Sequence, residues 1–470
     1  MKIDLSRRSF LRNSALASLW TAGGCAGFPA IVSSRSPNAK LCHACIGVHN
    51  MAESDMKRFL ANPDVRVTAI CDVDRNYLER AKKLAPDARV YTDWRELLAA
   101  EGDRLDSINV STPDHTHTAP ICAALRAGKH VYSQKPLCKY LDESDLIRRL
   151  AAESGTVTQL GTQIAASVCD RTAVAALRLG LIGPVKRIIL FSTRRGSSRV
   201  ARKIPMPRSV PATLDWERWI GPAPMRPYAE GYHPLLWRMY TDFGTGWVGD
   251  LCIHVISAVW QGLDLGANAP VSMTAKVNAE AMVDPAYKGC WPRYSHITWN
   301  YDGIPATAMK PFSMEWVSGF SEDPATPAEF LPPSVCDIFL PQMKNGRLPT
   351  EGRVIEGETG WMLVPHAHRD YPQPILAMKS GRTAPELPSV GEAPSHFDEY
   401  VRCCREGGRA RSDFLWAAHM SDAVLLGGAC ERFPDRTLHW DSKTRTIDDA
   451  EANAALHSNY RDGWKVKGLC

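Results

Sequence analysis

The sequence has little net charge of either sign. Its formal charge is +5 over 470 residues at pH 7. Residues 1–33 carry a net +3, from four basic residues and one acidic residue: Lys2, Arg7, Arg8 and Arg12 against Asp4. The remaining residues carry a net charge of +2. A charge this small gives no electrostatic attraction to a polyanion. We therefore expect no nucleic acid and no anionic membrane surface among the partners of this chain.

The sequence also lacks an apolar run that could span a membrane. The apolar stretch at residues 15–31 is short and rich in glycine and alanine. It follows Ser-Arg-Arg-Ser-Phe-Leu at residues 6–11, which is the pattern of a twin-arginine export signal. An ordinary basic amphipathic start is the alternative. We expect residues 1–33 to be a signal peptide and the protein to be exported, already folded, to the periplasm.

The fourteen cysteines do not form an obvious metal or disulfide framework. Cys42 and Cys45 have the spacing of a metal pair, but no second pair completes a site. Besides His115 and His117, one close pair of histidines is present in the sequence, His366 and His368. It has no obvious third ligand, so we expect no metal. Six cysteines lie in apolar patterns and are predicted to fill the core: Cys42, Cys45, Cys71, Cys122, Cys252 and Cys430.

Strand-like and helix-like segments alternate from residue 39 to residue 162. Strands are predicted at 39–48, 65–71, 107–111, 131–133 and 157–160, and helices at 51–61, 75–84, 119–127 and 141–153. Such alternation predicts a doubly wound parallel sheet with helices on both faces. The first domain is therefore predicted to be a Rossmann-type dinucleotide-binding domain.

The turn after the first strand lacks two of the three glycines of a G-x-G-x-x-G motif. Gly47 keeps the first position, while His49 and Ala52 replace the others. We expect this turn to bind a pyrophosphate through Gly47, His49, Asn50 and Met51. Asp72 ends the second strand, where an acid accepts from ribose hydroxyls and favours NAD over NADP. Asp72 could instead cap the next helix, although Asp74 could fill that role.

Two further strand ends carry polar residues. Residues 111–117 place Ser111, Thr112, Pro113, His115 and His117 where they would line the nicotinamide side of a dinucleotide. A turn with a helix cap explains the first part equally well. Lys135, between Gln134 and Pro136, follows the strand at 131–133 and could hold an ammonium donor against a substrate hydroxyl. An ordinary loop lysine is the alternative.

The second half, residues 163–440, predicts an α+β domain with an open, mainly antiparallel sheet. Strands are expected at 185–192, 271–277, 296–301 and 306–309. Asp250 and His254 are four residues apart in a predicted helix that runs to about residue 262, so they share one face. Helix capping by Asp250 and a core role for His254 are the alternatives.

Residues 441–470 are expected to pack back on both domains, and the sheet offers a face for a homo-oligomer.

Together these segments resemble the Gfo/Idh/MocA oxidoreductase family, in its large exported branch. The resemblance rests on Gly47, Asp72, the 111–117 segment, Gln134-Lys135-Pro136 where the family usually has Glu-Lys-Pro, and residues 161–163 and 249–254. The resemblance to the exported branch rests on the tail, with Trp440-Asp441, Ala452-Asn453 and residues 460–464. It implies an α/β enzyme that uses NAD or NADP to oxidise a sugar or glycoside hydroxyl. In that interpretation Lys135, Asp250 and His254 are catalytic, and Gln134 and Gln163 contact the cofactor. Gln163, Trp237, Arg238 and His254 are then expected to bind the sugar.

Three functions stay open at this stage. The first is net oxidation of a sugar hydroxyl by a tightly bound, recycled cofactor. The second, also implied by the resemblance, is an NAD-dependent glycosidase that works by transient oxidation and elimination. The third is a non-catalytic sugar-binding relative, which the altered turn at His49 and Ala52 and the glutamine at Gln134 could indicate.

Overall fold

The computed structural model describes residues 40–193, 204–278, 288–319, 331–344 and 346–469. The expected signal peptide at residues 1–33 lies outside the described residues. Residues Lys40–Cys470 form one compact unit. Within the described ranges, no helix has both the length and the apolar character that a membrane span requires.

The first domain is built on a six-stranded parallel sheet. Its strands follow the order β3-β2-β1-β4-β5-β6, and every pairing between them is parallel. The strands are β1 (Leu41–Ile46), β2 (Val65–Cys71), β3 (Arg89–Tyr91), β4 (Ser107–Val110), β5 (His130–Ser133) and β6 (Thr158–Leu160). All six residues of β1 are buried, as expected for a strand covered on both faces. The Rossmann-type prediction is confirmed.

Helices cover both faces of this sheet. They are α1 (Met51–Ala61), α2 (Arg75–Leu84), α3 (Trp94–Glu101), α4 (Thr118–Arg126) and α5 (Leu141–Ser154). Asp74 caps α2 by accepting from the main-chain N–H of Asn76, and Asp93 caps α3 in the same way. The capping role that Asp72 could have filled therefore belongs to Asp74. Neither β3, which has only three residues, nor α3 was predicted from the sequence.

The second domain is built on a nine-stranded sheet. Its order is β13-β12-β11-β7-β10-β9-β8-β14-β15, and β7 pairs with β10 in parallel while its other pairings are antiparallel. The strands are β7 (Val185–Ser192), β8 (Ser272–Val277), β9 (Tyr294–Tyr301), β10 (Phe312–Gly319), β11 (Glu351–Gly357), β12 (Gly360–Pro365), β13 (Ile375–Met378), β14 (Leu438–Asp441) and β15 (Thr446–Ile447). The predicted mainly antiparallel sheet is confirmed.

The strand predicted at residues 306–309 is wrong. Pro305–Thr307 forms a 3-10 turn, and Ala308 and Met309 follow it with φ of 51° and 61°. The Thr307 hydroxyl holds this turn, since Ile304 N–H donates to it and it donates to the Lys310 carbonyl. This stretch is therefore a tight turn that connects β9 to β10.

The α-helices after β6 are α6 (Val168–Arg178), α7 (Trp216–Ile220), α8 (Ile253–Val255), α9 (Ser257–Gly262), α10 (Pro333–Phe339), α11 (His396–Glu406), α12 (Phe414–Arg432) and α13 (Ala450–Ala455).

One long helix, α12, joins the two domains. Helix α12 packs on the inner face of the second sheet, where the Trp299 indole donates to the Ala423 carbonyl at 2.9 Å. The main-chain N–H of its first residue, Phe414, donates to the hydroxyl of Thr158 in β6 at 3.0 Å. The largest hydrophobic cluster of the described residues runs through both domains and includes the apolar residues of α12.

The outer face of the second sheet is partly covered by the chain itself. Val335 and Phe339 of α10 are buried in one apolar cluster with Phe191 and Val354 of the sheet. Beside this cluster the outer face carries charged and polar side chains, and Glu315 pairs there with Arg187 and His296. The homo-oligomer stays a prediction, and the apolar part of this face is already occupied by α10.

The prediction that six cysteines fill the core is confirmed. Among the described residues all six cysteines assigned to the core are buried, and none of the described cysteines forms a disulfide. Cys42 and Cys45 lie along β1, inside the first domain. Their spacing therefore reflects a buried strand.

Candidate active site

A cavity of ≈ 250 Å³ lies at the carboxyl ends of β1, β2, β4 and β5. This is the edge at which open parallel sheets bind ligands. The second domain supplies the opposite wall. Most of the residues predicted from the sequence line it: Gly47, His49, Asn50, Met51, Asp72, Ser111, Thr112, Pro113, Gln134, Lys135, Trp237, Arg238 and Asp250. His115, His117, Gln163 and His254 are not among the lining residues.

The turn at Gly47 is a position that only glycine can occupy. Gly47 has a φ of +85°, and a Cβ atom built there would lie 2.6 Å from the Ser111 carbonyl oxygen. The chain of β1 therefore passes directly against the end of β4 before α1 begins at Met51. Asn50, Met51 and Ala52 at the N-terminus of α1 line the cavity, and the main-chain N–H groups of a helix start favour a phosphate.

Asp72 fixes this turn from the end of β2. One carboxylate oxygen accepts from the Val48 main-chain N–H at 3.0 Å, and the other accepts from that of Asp74 at 3.1 Å. Burial raises the pKa of Asp72 to about 6, against the opposing effect of these hydrogen bonds. The carboxylate thus lines the cavity and also braces the turn.

The ring of His49 lies against the wall of the cavity. It stacks on Tyr77 of α2 with ring centroids 3.7 Å apart and an interplanar angle of 12°. Tyr77 and His233 line the same part of the cavity, and sequence analysis identified neither of them. The imidazole of His49, which stands where the motif has its second glycine, is therefore oriented by stacking on Tyr77.

A buried carboxylate that sequence analysis missed lies beneath the cavity. Asp55 of α1 accepts from the Gln134 side-chain amide at 2.8 Å and from the Ser111 hydroxyl at 2.8 Å. Burial raises the pKa of Asp55 to about 7, while its two hydrogen bonds act in the opposite direction. One sequence signal existed, because Asp55 lies on the apolar face of α1 with Ala52, Met56 and Phe59.

The two histidines after β4 do not contact the cavity, which corrects the prediction that they line it. The ring nitrogens of His115 lie within hydrogen-bond distance of the main-chain carbonyls of Phe243 and Trp219, and those of His117 within that distance of the carbonyls of Pro136 and Thr112. Each neutral ring donates to one of its two carbonyls. Burial lowers the pKa of both imidazoles, that of His115 to about 3. These histidines therefore join main-chain segments behind the site.

Lys135 and Asp250 meet across the boundary between the domains. The Lys135 ammonium forms an ion pair with the Asp250 carboxylate and donates to the Asp250 main-chain carbonyl at 2.7 Å. Both side chains are close to 10% exposed and line the cavity. Burial lowers the pKa of Lys135, Asp250 opposes this shift, and the nearby Arg238 reinforces it. Lys135 therefore has a negative partner, which the second domain supplies.

Arg238 extends this pair into a chain of alternating charges. Its guanidinium contacts Asp250 at 3.2 Å and Asp114 at 2.9 Å. Asp114 is buried and also accepts from the hydroxyl of Thr245 at 2.7 Å. The guanidinium carbon lies 4.3 Å from the centroid of the Trp237 ring. Arg238 is thus already engaged by two carboxylates while it lines the cavity.

His254 lies behind the Lys135–Asp250 pair. A π-helical turn at Val248–Cys252 carries Asp250 and continues into α8, which carries His254, so the predicted helical run is confirmed. The Nδ1 atom of His254 is buried without a hydrogen-bond partner in the described part of the chain. Burial and then Lys135 lower the pKa of His254 well below its usual value, so the ring is neutral. Gln163 donates to the Tyr132 hydroxyl at 3.2 Å, away from the cavity.

The family comparison covers both domains. Residues 42–162 match a family described as an oxidoreductase family with an NAD-binding Rossmann fold. Residues 197–306 match the C-terminal α/β domain of the same oxidoreductase family.

Curated relatives match mainly in short stretches. A glycosyl hydrolase family 109 protein of Saccharopolyspora erythraea is 35% identical in an alignment that covers 29% of this chain and 35% of the relative. Inositol 2-dehydrogenase of Rhodococcus erythropolis is 33% identical over 26% of this chain and 34% of its own length. Levoglucosan dehydrogenase of Pseudarthrobacter phenanthrenivorans is 27% identical over 35% of this chain and 34% of its own length. The chain thus spans about a third of the length of these relatives.

Solved structures extend the similarity to most of the fold. Aldose-aldose oxidoreductase from Caulobacter crescentus aligns with a TM-score of 0.58 and 15% identity over 85% of this chain and 99% of its own. The WlbA dehydrogenase of Bordetella pertussis, solved with NADH and UDP-GlcNAcA, aligns with a TM-score of 0.58 and 12% identity over 86% and 99%. At these identities the likeness concerns the fold. With both family matches and the geometry of the cavity, the chain belongs to the Gfo/Idh/MocA oxidoreductase family.

Proposed function

We propose that the protein is an NAD-dependent oxidoreductase that acts on a hydroxyl group of a sugar or glycoside. The observation that carries the proposal is that Lys135 and Asp250 line the same cavity as the glycine turn at Gly47. A nucleotide-binding element and a buried proton donor thus share one space. The named dehydrogenases among the relatives, for inositol and levoglucosan, support a polyol or sugar as the substrate class.

The residues present fit a dinucleotide. The close approach of Gly47 to Ser111 leaves the N-terminus of α1 open to a pyrophosphate. Asp72 would accept from the ribose hydroxyls, and its carboxylate disfavours a 2′-phosphate, so we propose NAD over NADP. NAD bound there would supply C4 of its nicotinamide as the hydride acceptor.

The chemistry of the protein itself is then proton handling and orientation. Lys135 donates from its ammonium group to the oxygen of the reacting hydroxyl and stabilises negative charge that develops there. Asp250 fixes the direction of this ammonium group through their ion pair. We propose His254 as the residue that removes the hydroxyl proton. It does not line the cavity and its lowered pKa makes it a weak base, so this role requires the bound substrate to bring its hydroxyl past the Lys135–Asp250 pair to the imidazole.

The test of this assignment is turnover with a panel of sugars, polyols and glycosides, followed by the absorbance of the reduced nicotinamide. Lys135→Ala and His254→Ala are each expected to lower turnover by at least about a hundredfold, the usual size of acid–base effects. Lys465→Ala, an exposed lysine in the C-terminal tail, is the matched control and should retain full turnover. Near wild-type turnover in either of the first two variants would remove that residue from the chemistry.

A redox-neutral glycosidase is the second candidate, and one observation favours it. Several relatives carry the name glycosyl hydrolase family 109, including the one from Saccharopolyspora erythraea. In this reaction a transient oxidation acidifies a neighbouring C–H group, the aglycone is eliminated, and water and hydride are returned. Release of the aglycone from a chromogenic glycoside, with no net change in reduced-nicotinamide absorbance, would select it over net oxidation.

We also propose that the protein is exported by the twin-arginine route with its cofactor already bound. Free NAD is scarce outside the cytoplasm, so a retained and recycled cofactor suits this location. Protein purified after export and then denatured should release NAD. A wild-type protein that releases no nicotinamide nucleotide and takes none up would instead support the sugar-binding alternative.

A further inference from the structure

The C-terminal tail returns to the first domain after α13. Tyr460 contacts the carboxylate of Glu143 at the start of α5, and the main-chain N–H of Ser458 donates to Asp142 at 3.1 Å. Arg461 donates to the Gly221 carbonyl at 2.6 Å and pairs with Glu217 at 2.6 Å. This stretch, residues 457–469, is thus held at several points between α5 and the loop after α7.

Trp464 is the tail residue that reaches the cavity. Its ring is half-buried and belongs to the cavity lining. Two guanidinium groups contact it, with the Arg95 carbon 4.5 Å and the Arg461 carbon 5.3 Å from its centroid. Arg95 is held by Asp93 at 3.0 Å, so its position over the indole is fixed from α3.

The position of Trp464 separates it from the proposed reaction centre. Arg95 belongs to α3, which follows β3 at the edge of the sheet, whereas Lys135 follows β5. The order β3-β2-β1-β4-β5 places these two strands four intervals apart, about 19 Å at the usual spacing of strands. The turn at Gly47 lies between them. Its contact with Arg95 therefore places Trp464 toward the β3 side of the cavity, whereas Lys135 lies at the end of β5.

The end near Trp464 has the composition of a site for a flat aromatic base. Its lining is Val73, Thr92, Trp94, Ala119, Pro120 and Pro222, together with the Arg95–Asp93 pair. Asp72, the acid expected to bind the adenosine ribose, lies on this side of Gly47. Indole rings stack on nucleobases without regard to base identity.

We propose that Trp464 forms the outer wall of the adenine end of the dinucleotide site, so that the C-terminal tail helps to retain the bound cofactor. This inference rests on the proposed NAD-dependent function. It assigns a binding role to a segment that starts at residue 457, whereas the nucleotide-binding domain ends at residue 162. It also links cofactor retention to the docking of the tail by Tyr460 and Arg461.

The experiment compares Trp464→Ala, Trp464→Phe and Lys465→Ala in the full chain. Lys465 is the adjacent tail residue, with 74% of its side chain exposed. Nucleotide release is measured by trapping dissociated NAD with an excess of a coupled dehydrogenase. Trp464→Ala should release NAD at least about tenfold faster than wild type, Trp464→Phe should fall between the two, and Lys465→Ala should match wild type.

Ligand fragments distinguish a local effect from a general loss of structure. Trp464→Ala should weaken binding of ADP-ribose by the same factor as that of NAD, while binding of nicotinamide mononucleotide should be unchanged. Unchanged release of NAD from Trp464→Ala, or equal weakening of both fragments, would overturn the role of Trp464. A wild-type protein that binds no NAD at all would overturn the proposed function, and the inference with it.

Discussion

Asp55 offers a test of how the buried polar groups of the site affect stability. Its carboxyl group is buried under the cavity, and burial raises its pKa from the ordinary 3.8 to about 7. A carboxyl group with a raised pKa binds its proton more tightly in the folded state than in the unfolded state. Its contribution to stability is therefore complete below about pH 4 and is lost as the pH rises through 7.

The size of this effect follows from the shift. Each pH unit between the unfolded and folded pKa values costs about 1.4 kcal/mol of unfolding free energy. Between pH 5 and pH 7, with the curve levelling off near the folded pKa, the wild type should lose about 2 kcal/mol through this group. Asp55→Asn keeps the shape of the side chain and removes the titration. From pH 5 to pH 7 the unfolding free energy of Asp55→Asn should therefore rise by about 2 kcal/mol relative to that of the wild type.

The assay is urea unfolding of nucleotide-free protein at several values between pH 5 and pH 8. Glu53→Gln on the same helix is the matched control. The hydrogen bond from Lys57 lowers the pKa of Glu53, so this group is ionised in both states over most of the range. Its difference from wild type should stay nearly constant. A constant difference for Asp55→Asn as well would show that this carboxyl group does not titrate as its burial requires.

Two further substitutions test other parts of the structure. Arg238→Met should raise the pKa of Lys135, because the charge of Arg238 lowers it, so the alkaline limb of the pH–rate profile should move to higher pH; an unmoved limb would show that the guanidinium does not act on Lys135. Gly427→Ala should destabilise the protein by about 1–3 kcal/mol in urea unfolding, since its Cβ would lie 2.4 Å from the Trp299 ring; Gly428→Ala, whose Cβ meets its nearest neighbour at 3.5 Å, is its control and should cost less.

Local patterns were sufficient to predict much of the first domain. The helices at Met51–Ala61 and Arg75–Leu84 and the strand at Val65–Cys71 have the predicted bounds. Alternating strands and helices also place Gly47, Asp72 and Lys135 at one edge of a parallel sheet, because the carboxyl ends of parallel strands share an edge. The lining of the cavity by these three residues follows from that rule.

Features that depend on distant partners could not be read from the sequence. His115 and His117 look like ligands until main-chain carbonyls from other segments are found on their ring nitrogens. Trp464 reaches the cavity only because the tail crosses both domains. The segment at 306–309 has apolar residues, but left-handed Ala308 and Met309 make it a turn. In each case a long-range contact or a backbone angle decides the outcome, and neither is encoded in local hydrophobicity.

The central claim is that the cavity beside Gly47 binds NAD, and titration of NAD into wild type and Gly47→Ala by calorimetry tests it most directly. Gly128→Ala is the matched control, because Gly128 also has positive φ, at +67°, but has no atom within 4 Å of a built Cβ. Wild type and Gly128→Ala should bind NAD alike, and Gly47→Ala should bind at least about tenfold more weakly, since its Cβ must displace the Ser111 carbonyl. Absence of NAD binding to the wild type, or equal affinity in Gly47→Ala, would contradict the account.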